Sequence, residues 1–377
     1  MTARKTTAAA ASPGASRPAE LSLPWFWPVD AALRLTQRNL DFLSQAAKIT
    51  RPPPPGWATP NTVRLDLPTM FLREFGTAAA GRVPVLIDAP YAGHSATIAD
   101  YGKGQSLVET MLANGIPHVL VTDWKTAEQE MRYFSIDTYL AELNAAIDDL
   151  GGVVHLVGLC QGGWLSAMLA SRFPRKVRSL VLAGAPIDTD AGDGPIKQMA
   201  HDMPLKSYRD MVRLGRGLMP GRFMLAGWKN MHPAEHYVEK YVRLYQNLAD
   251  RNYLDRTEAF AAWYENPLNL PGVYYLQAIE QIFKENRFAK GEFVGLGRRL
   301  ALKDVTCPLY LLAGAEDDIT TSEQVFAAEG LVGTPRKRIE KALVPGGHIG
   351  LFMGRKTLSE TWPGIVRWIA AQDGAAP

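Results

Sequence analysis

Apolar residues recur along this chain in two rhythms, and the switch between them marks out its elements. Short apolar runs at 83–89, 118–122, 153–159 and 177–183 read as strands. The stretches between them, 106–113, 135–150 and 161–173, carry apolar residues at helical spacing. In the clearest, Ile136, Leu140, Leu143, Ile147 and Leu150 fall by fours and threes, and Gly151-Gly152 stops the helix. Strand–helix alternation of this kind predicts an α/β fold, with a mostly parallel sheet covered by helices on both faces. The rhythm breaks after Pro186. Residues 188–297 read as an inserted helical cap rich in Met, Tyr and Trp, without a convincing strand. Strands return at 308–313 and 339–344, and 355–371 reads as a closing helix. The core is therefore expected from 61–187 and 298–377, as one interrupted domain. Upstream, 62–75 looks like a strand pair. Leu33, Leu40, Leu43 and Ala47 sit at helical spacing in a predicted helix over 29–49. Arg51-Pro52-Pro53-Pro54-Pro55-Gly56 ends that helix, so 23–60 is read as an N-terminal helix with a stiff linker, the helix packing on the core.

Composition narrows the function. The 41 basic and 38 acidic residues leave a net charge of +3, and no dense Lys/Arg run points to nucleic acid. Two cysteines, Cys160 and Cys307, make no disulfide framework and suit a reducing, cytoplasmic setting. No apolar window is long enough for a membrane span. Residues 1–22, rich in Ala, Thr, Ser and Arg, are expected to form a disordered tail.

The chemistry concentrates after the third core strand, in Gly158-Leu159-Cys160-Gln161-Gly162-Gly163. A strand leads into it and a helix leaves it. This is a G-x-S-x-G nucleophile elbow with cysteine in place of serine, and it predicts the α/β-hydrolase fold. Such an elbow needs an acid and then a histidine after later strands. Gly314-Ala315-Glu316-Asp317-Asp318-Ile319 follows one of them, and its register selects Asp317 over Asp318. Pro345-Gly346-Gly347-His348-Ile349-Gly350 follows the last. The expected catalytic set is Cys160, Asp317 and His348. The oxyanion needs backbone N–H donors, assigned to Gln161 and Tyr91, with Ala92 as alternate. Cys307 and His155 are read as core residues. His232 and His236 have metal-like i,i+4 spacing but no third ligand, so no metal is expected, and no cofactor is called for. His94, Trp124, Trp228, Trp263 and Tyr275 are substrate-contact candidates. Glycines around Gly215, Gly217, Gly221 and Gly227 suggest a movable lid at 214–227.

Over most of the chain, from about Thr62 to Ala370, these residues resemble the cysteine-dependent polyhydroxyalkanoate enzymes of the α/β-hydrolase group. Two families are involved, the polyester synthases and the intracellular polyhydroxybutyrate depolymerases. Leu156 to Gly163, Leu302-Lys303-Asp304-Val305-Thr306-Cys307-Pro308, the His348 loop and Asn269-Leu270-Pro271-Gly272 are similar to the short, two-subunit synthases. Ala89-Pro90-Tyr91-Ala92-Gly93-His94-Ser95-Ala96-Thr97, Thr122-Asp123-Trp124, Gly184 to Thr189 and Asp317-Asp318-Ile319 are similar to the depolymerases. The synthase pattern has a histidine directly after the triad aspartate, where Asp318 stands. The depolymerase box has proline where Gly162 stands. The residues nearest the reacting centre favour hydrolysis of a poly(3-hydroxyalkanoate) or its oligomers through an acyl-enzyme. The alternative is polymerisation of 3-hydroxyacyl-CoA on the same cysteine; a further one is a non-catalytic granule-surface protein. A polyester or hydroxyacyl ester is the implied partner, in the cytoplasm or at a polyester granule.

Overall fold

A computed structural model describes residues 27–373. The expected tail at 1–22 lies outside the described residues. Helix α1 spans Trp27–Thr50 and is followed by an antiparallel pair, β1 (Thr62–Asp66) and β2 (Met70–Gly76). The core then alternates: β3 (Val85–Asp88), α2 (Leu107–Ala113), β4 (His118–Trp124), α3 (Ile136–Asp149), β5 (Val154–Leu159), α4 (Gln161–Arg172) and β6 (Val177–Ala183). Six cap helices follow: α5 (Pro195–Asp202), α6 (Leu205–Leu214), α7 (Gly221–Met231), α8 (Lys240–Gln246), α9 (Arg251–Tyr264) and α10 (Gly272–Gln277). The core resumes with β7 (Leu309–Gly314) and β8 (Ile339–Val344) and closes on α11 (Arg355–Glu360) and α12 (Trp362–Ala371).

The eight strands form one sheet in the order β1-β2-β4-β3-β5-β6-β7-β8. From β4 to β8 all pairs are parallel; β2 runs antiparallel to β4. All six residues of β5 are buried, because helices cover both faces of this central strand. Each fully buried Val or Leu there contributes about 1.5–3 kcal/mol of transfer free energy. Helix α3 buries Ile136, Leu140, Leu143 and Ile147, the stripe its sequence period defines. The expected closing helix is two pieces, broken at Thr361 ahead of Pro363, a residue tolerated only in a first helical turn.

Three expectations are corrected. The cap contains one short strand pair, Leu218–Met219 with Leu270–Pro271, and a second, Val294–Gly295 with Arg298–Arg299, spans its end, both too short for a periodicity signal. Residues 214–227 are pinned rather than loose: Gly272 N–H donates to Gly217 O at 2.9 Å, and Gly221 N–H to Asn269 Oδ1 at 2.9 Å. Helix α1 does not pack on the sheet. Its C-terminal half lies on the cap, where Phe42, Ala46 and Ile49 meet Leu244, Leu254 and Ala261 of α8 and α9. Leu33, Leu40 and Leu43, the stripe first read as core-facing, are more than half exposed.

Candidate active site

The elbow takes the conformation its glycines permit. Cys160 ends β5 at φ 50°, ψ −118°, a left-handed region that costs a non-glycine residue of order 1–3 kcal/mol. Gly162 makes it buildable: a Cβ there would collide with the backbone oxygen of Asp88 at the end of β3. The thiol thus stands clear of the sheet at the N-terminus of α4, whose dipole favours an anion.

The loop after β7 holds Asp317, and the loop after β8 holds His348. His348 Nδ1 lies 2.7 Å from Asp317 Oδ2. The other Asp317 oxygen accepts the N–H groups of Ile319 and Thr320 at 3.0 and 2.8 Å, which fix the carboxylate in place. His348 Nε2 is buried, without a hydrogen-bond partner among the described residues, in a cleft it shares with Cys160. Burial alone would push this imidazole down, but the charges of Cys160 and Asp317 and the hydrogen bond to Asp317 outweigh it and raise it to about 10. Imidazolium is therefore the favoured form at neutral pH.

A cleft of about 370 Å³ opens over Cys160, within the usual range for small-molecule sites. Its floor comes from the core: Pro90, Ala92, His94, Cys160, His348 and Ile349. Its roof is one face of the cap, with Trp228, Met231, His232, Glu235 and His236 at helical spacing and Phe260, Trp263 and Tyr264 beside them. His94 stacks on Trp263 (4.7 Å) and Tyr264 (5.1 Å), and its Nε2 lies 3.1 Å from Tyr264 O. Burial lowers its pKa to about 4, the hydrogen bond to Tyr264 offsetting little, so the ring is neutral. At the mouth, His232 Nε2 meets Asp318 Oδ2 at 2.8 Å and ties cap to core. No Lys or Arg lines this cleft among the described residues.

Of the substrate-contact candidates, the cleft brings together His94, Trp228 and Trp263. Trp124 and Tyr275 are corrections. Trp124 is 2% exposed and donates from Nε1 to Ala89 O at 2.8 Å, so it shapes the Pro90 loop from behind. Tyr275 packs on Tyr208 inside the cap. Tyr91 buries its ring against Tyr139, Trp124 and Tyr274, leaving Ala92 to line the cleft. Asp318, the acid passed over for the catalytic set, pairs with His232 of the cap. His155 is held by Ser179 Oγ (2.8 Å) and Asp373 Oδ1 (3.1 Å) at the opposite end of the sheet, and burial pushes the Cys307 thiol up to about 12.

Sequence reading missed Asp88. This fully buried carboxyl sits under the elbow, accepting from Ser166 Oγ at 3.0 Å and Thr122 Oγ1 at 3.4 Å. Burial, partly offset by these two hydroxyls, holds it well above the usual carboxylate range. A lone acid at a strand end carries no periodic signal. The roof face was legible in principle, as the spacing 228, 231, 232, 235, 236.

Residues 184–373, half of the chain and the part that supplies both Asp317 and His348, match the family model described as PHB de-polymerase C-terminus. The chain belongs to that family. Its relatives include the protein named "Poly(3-hydroxyalkanoate) polymerase subunit PhaC" of Allochromatium vinosum, 27% identical over 79% of this chain and 83% of that protein. The protein of the same name from Haloferax mediterranei is 27% identical over 76% of this chain, which spans only 58% of that relative's length. That of Haloarcula marismortui is 24% identical over 91% of this chain and 76% of its own. Solved structures similar to this member of the PHB de-polymerase C-terminus family share its α/β-hydrolase fold. A monoacylglycerol lipase of Paleococcus ferrophilus superposes with TM-score 0.50 at 17% identity, over 80% of this chain and 99% of that one. A carboxylesterase structure from Nitrososphaera gargenis does so with TM-score 0.51 at 14% identity, over 83% and 99%. Among the described residues, no helix is long and apolar enough to cross a membrane.

Proposed function

We propose that this protein is an acyltransferase of the poly(3-hydroxyalkanoate) polymerase type, with Cys160 carrying the incoming 3-hydroxyacyl unit as a thioester. The observation that supports the reading is a cysteine elbow sharing its cleft with a His348–Asp317 pair, in a chain whose polymerase-named relatives align over three quarters or more of it. In this scheme the Cys160 thiolate attacks the carbonyl carbon of a 3-hydroxyacyl thioester such as a hydroxyacyl-CoA. Gln161 and the Tyr91–Ala92 turn supply the N–H groups for the oxyanion. The CoA sulfur leaves with a proton from His348. A chain-end hydroxyl then gives its proton to His348 and attacks the Cys160 thioester, forming the ester and freeing the Cys160 thiolate. The apolar and aromatic roof keeps water from that thioester. Trp228, whose buried Nε1–H has no partner among the described residues, is the donor proposed for the acyl chain.

Hydrolysis is the second reading, favoured by the family's own description and by the depolymerase-like Pro90 loop. The cleft without Lys or Arg suits an uncharged ester better than a phosphorylated carrier. One assay separates the two. With 3-hydroxybutyryl-CoA, polymerisation releases CoA thiol and yields polymer. With amorphous polyhydroxybutyrate, hydrolysis releases soluble 3-hydroxybutyrate. Hydroxybutyrate release without polymer formation overturns the polymerase reading.

A further inference from the structure

The Pro90 loop leaves the sheet at Ala89, one residue past the end of β3. The strand ladder stops there, at Asp88 paired with Gly158 of β5. Beyond that point side chains of β4 hold the main chain. Thr122 Oγ1 accepts the Ala89 N–H at 3.0 Å, and Trp124 Nε1 donates to Ala89 O at 2.8 Å. Residues 122 and 124 stand on one face of β4, so a single strand grips both polar groups of Ala89. The Tyr91 hydroxyl, set between Lys125 O (3.0 Å) and Asn269 O (3.1 Å), ties down the next turn.

The same hydroxyl reaches toward the elbow. Thr122 O–H donates to Asp88 Oδ1 at 3.4 Å, and Ser166 O–H, from the second turn of α4, donates to Asp88 Oδ2 at 3.0 Å. All three side chains are fully buried, where an unpaired hydroxyl or carboxyl is costly, so each holds the others in place. Gly162, with no room for a Cβ beside Asp88 O, lets the start of α4 sit directly on this strand end. A polar chain thus runs from Ala89 through Thr122 and Asp88 to Ser166, joining the start of the Pro90 loop to the helix that Gln161 opens. The two sets of oxyanion donors stand on these different elements. Donors of this kind act only when they converge on one point to within about 0.5 Å. We propose that Thr122, braced by Asp88 and Ser166, is a positioning residue that sets the Pro90 loop against the N-terminus of α4, so that their N–H groups converge on the oxyanion. The proposal rests on the reading of Cys160 as an acyl-carrying nucleophile with Gln161 and the Tyr91–Ala92 turn as its donors, and holds whether a hydroxyl or water later takes the acyl group.

Two reagents applied to the full chain read Cys160 in different ways. p-Nitrophenyl acetate acylates the sulfur through a tetrahedral oxyanion and releases p-nitrophenolate. Iodoacetamide alkylates it by displacing iodide, and no oxyanion forms. The ratio of the two rate constants therefore reports on the oxyanion site, while a change in thiolate population moves both together. Thr122→Val keeps the shape and removes the hydroxyl. It should slow acylation by about tenfold to a hundredfold and leave alkylation within about twofold. Thr122→Ser returns the oxygen and should restore the ratio. Ser166→Ala cuts the far end of the chain and should shift the ratio the same way, about severalfold; it decides the matter if Thr122→Val does not fold. A ratio that stays at the wild-type value in Thr122→Val and Ser166→Ala overturns the proposal. So does a parallel fall of both rates, which would mean these residues only hold the fold, or a failure of Thr122→Ser to rescue. A wild-type chain whose Cys160 is alkylated but never acylated overturns the underlying reading of Cys160, and the proposal with it.

Discussion

Two features meet at Cys160: a backbone held at positive φ and a thiol that shares its cleft with His348. The elbow imposes the first by geometry alone, so Cys160→Ala should leave the fold intact. Loss of the nucleophile should lower kcat on the order of 10⁴-fold or more, read with a 3-hydroxyacyl thioester alongside a circular-dichroism control. The neighbouring acids separate cleanly. Asp317→Asn removes the acceptor that orients His348 and should cost a factor of order 10²–10⁴ in kcat. Asp318→Asn should leave kcat on a small activated ester nearly unchanged. A crippled Asp318→Asn beside a mild Asp317→Asn would reverse the assignment. His94 gives a pH signature. Its folded pKa, about 4, lies below the ordinary histidine value of about 6.5. Its neutral stacked form therefore adds stability that is fully present above about pH 6.5 and is lost as pH falls through about 4. Melting temperatures measured from pH 7 to 4 should fall less steeply in His94→Phe than in the wild type. Cys160, Asp317 and His348 were legible because an elbow, an acid loop and a histidine loop come in a required chain order. Asp88, Ser166 and Thr122 were not, because three polar residues on separate elements meet only after the sheet forms.

At the scale of elements, His232 and Asp318 bridge α7 and the loop after β7 where both line the cleft. His232, at the end of α7, and Asp318 are each about half exposed, so their bond is worth little to stability. Its effect is on where the roof sits. His232→Gln and Asp318→Asn should each change KM for a polymer or oligomer several-fold while kcat on a p-nitrophenyl ester stays within about twofold; equal effects on both substrates would mean the pair only braces the fold. The strands and long helices of the core were readable within a residue or two from period alone. The short strand pairs of the cap were not, since two residues cannot show a period, and one of the pairings joins positions about fifty apart in sequence. Helix α1 was placed correctly but faced wrongly. Its packed residues, Phe42, Ala46 and Ile49, are fewer and less regular than the exposed stripe, and regularity alone does not say which face the fold will cover.

Across the whole molecule, the end of the sheet remote from the cleft is fastened by one side chain. Asp373 accepts from Arg82 at 2.8 Å and from Val83 N–H at 3.1 Å, and faces His155 Nε2 at 3.1 Å. With Ser179 on the other ring nitrogen, this looks like a second Ser-His-Asp set, but Ser179 is fully buried and no substrate reaches it. It serves to hold the residues after α12 against β3 and β5. Asp373→Ala leaves a buried imidazole and a backbone N–H without their acceptor, and should cost about 1–3 kcal/mol, seen as a lower urea midpoint with unchanged kcat.

The cap is inserted between β6 and β7, so Cys160 and His348 are separated in time as well as in sequence. His348 follows Cys160 by 188 positions. At the usual pace of translation, roughly 5–20 residues per second, a nascent chain carries Cys160 for about 10–40 s before His348 exists. Through that interval the nascent chain holds the elbow, the Pro90 loop and a growing roof, but neither Asp317 nor His348. On the proposed reading, chemistry waits until β7 and β8 add to the sheet edge, after the cap has been made.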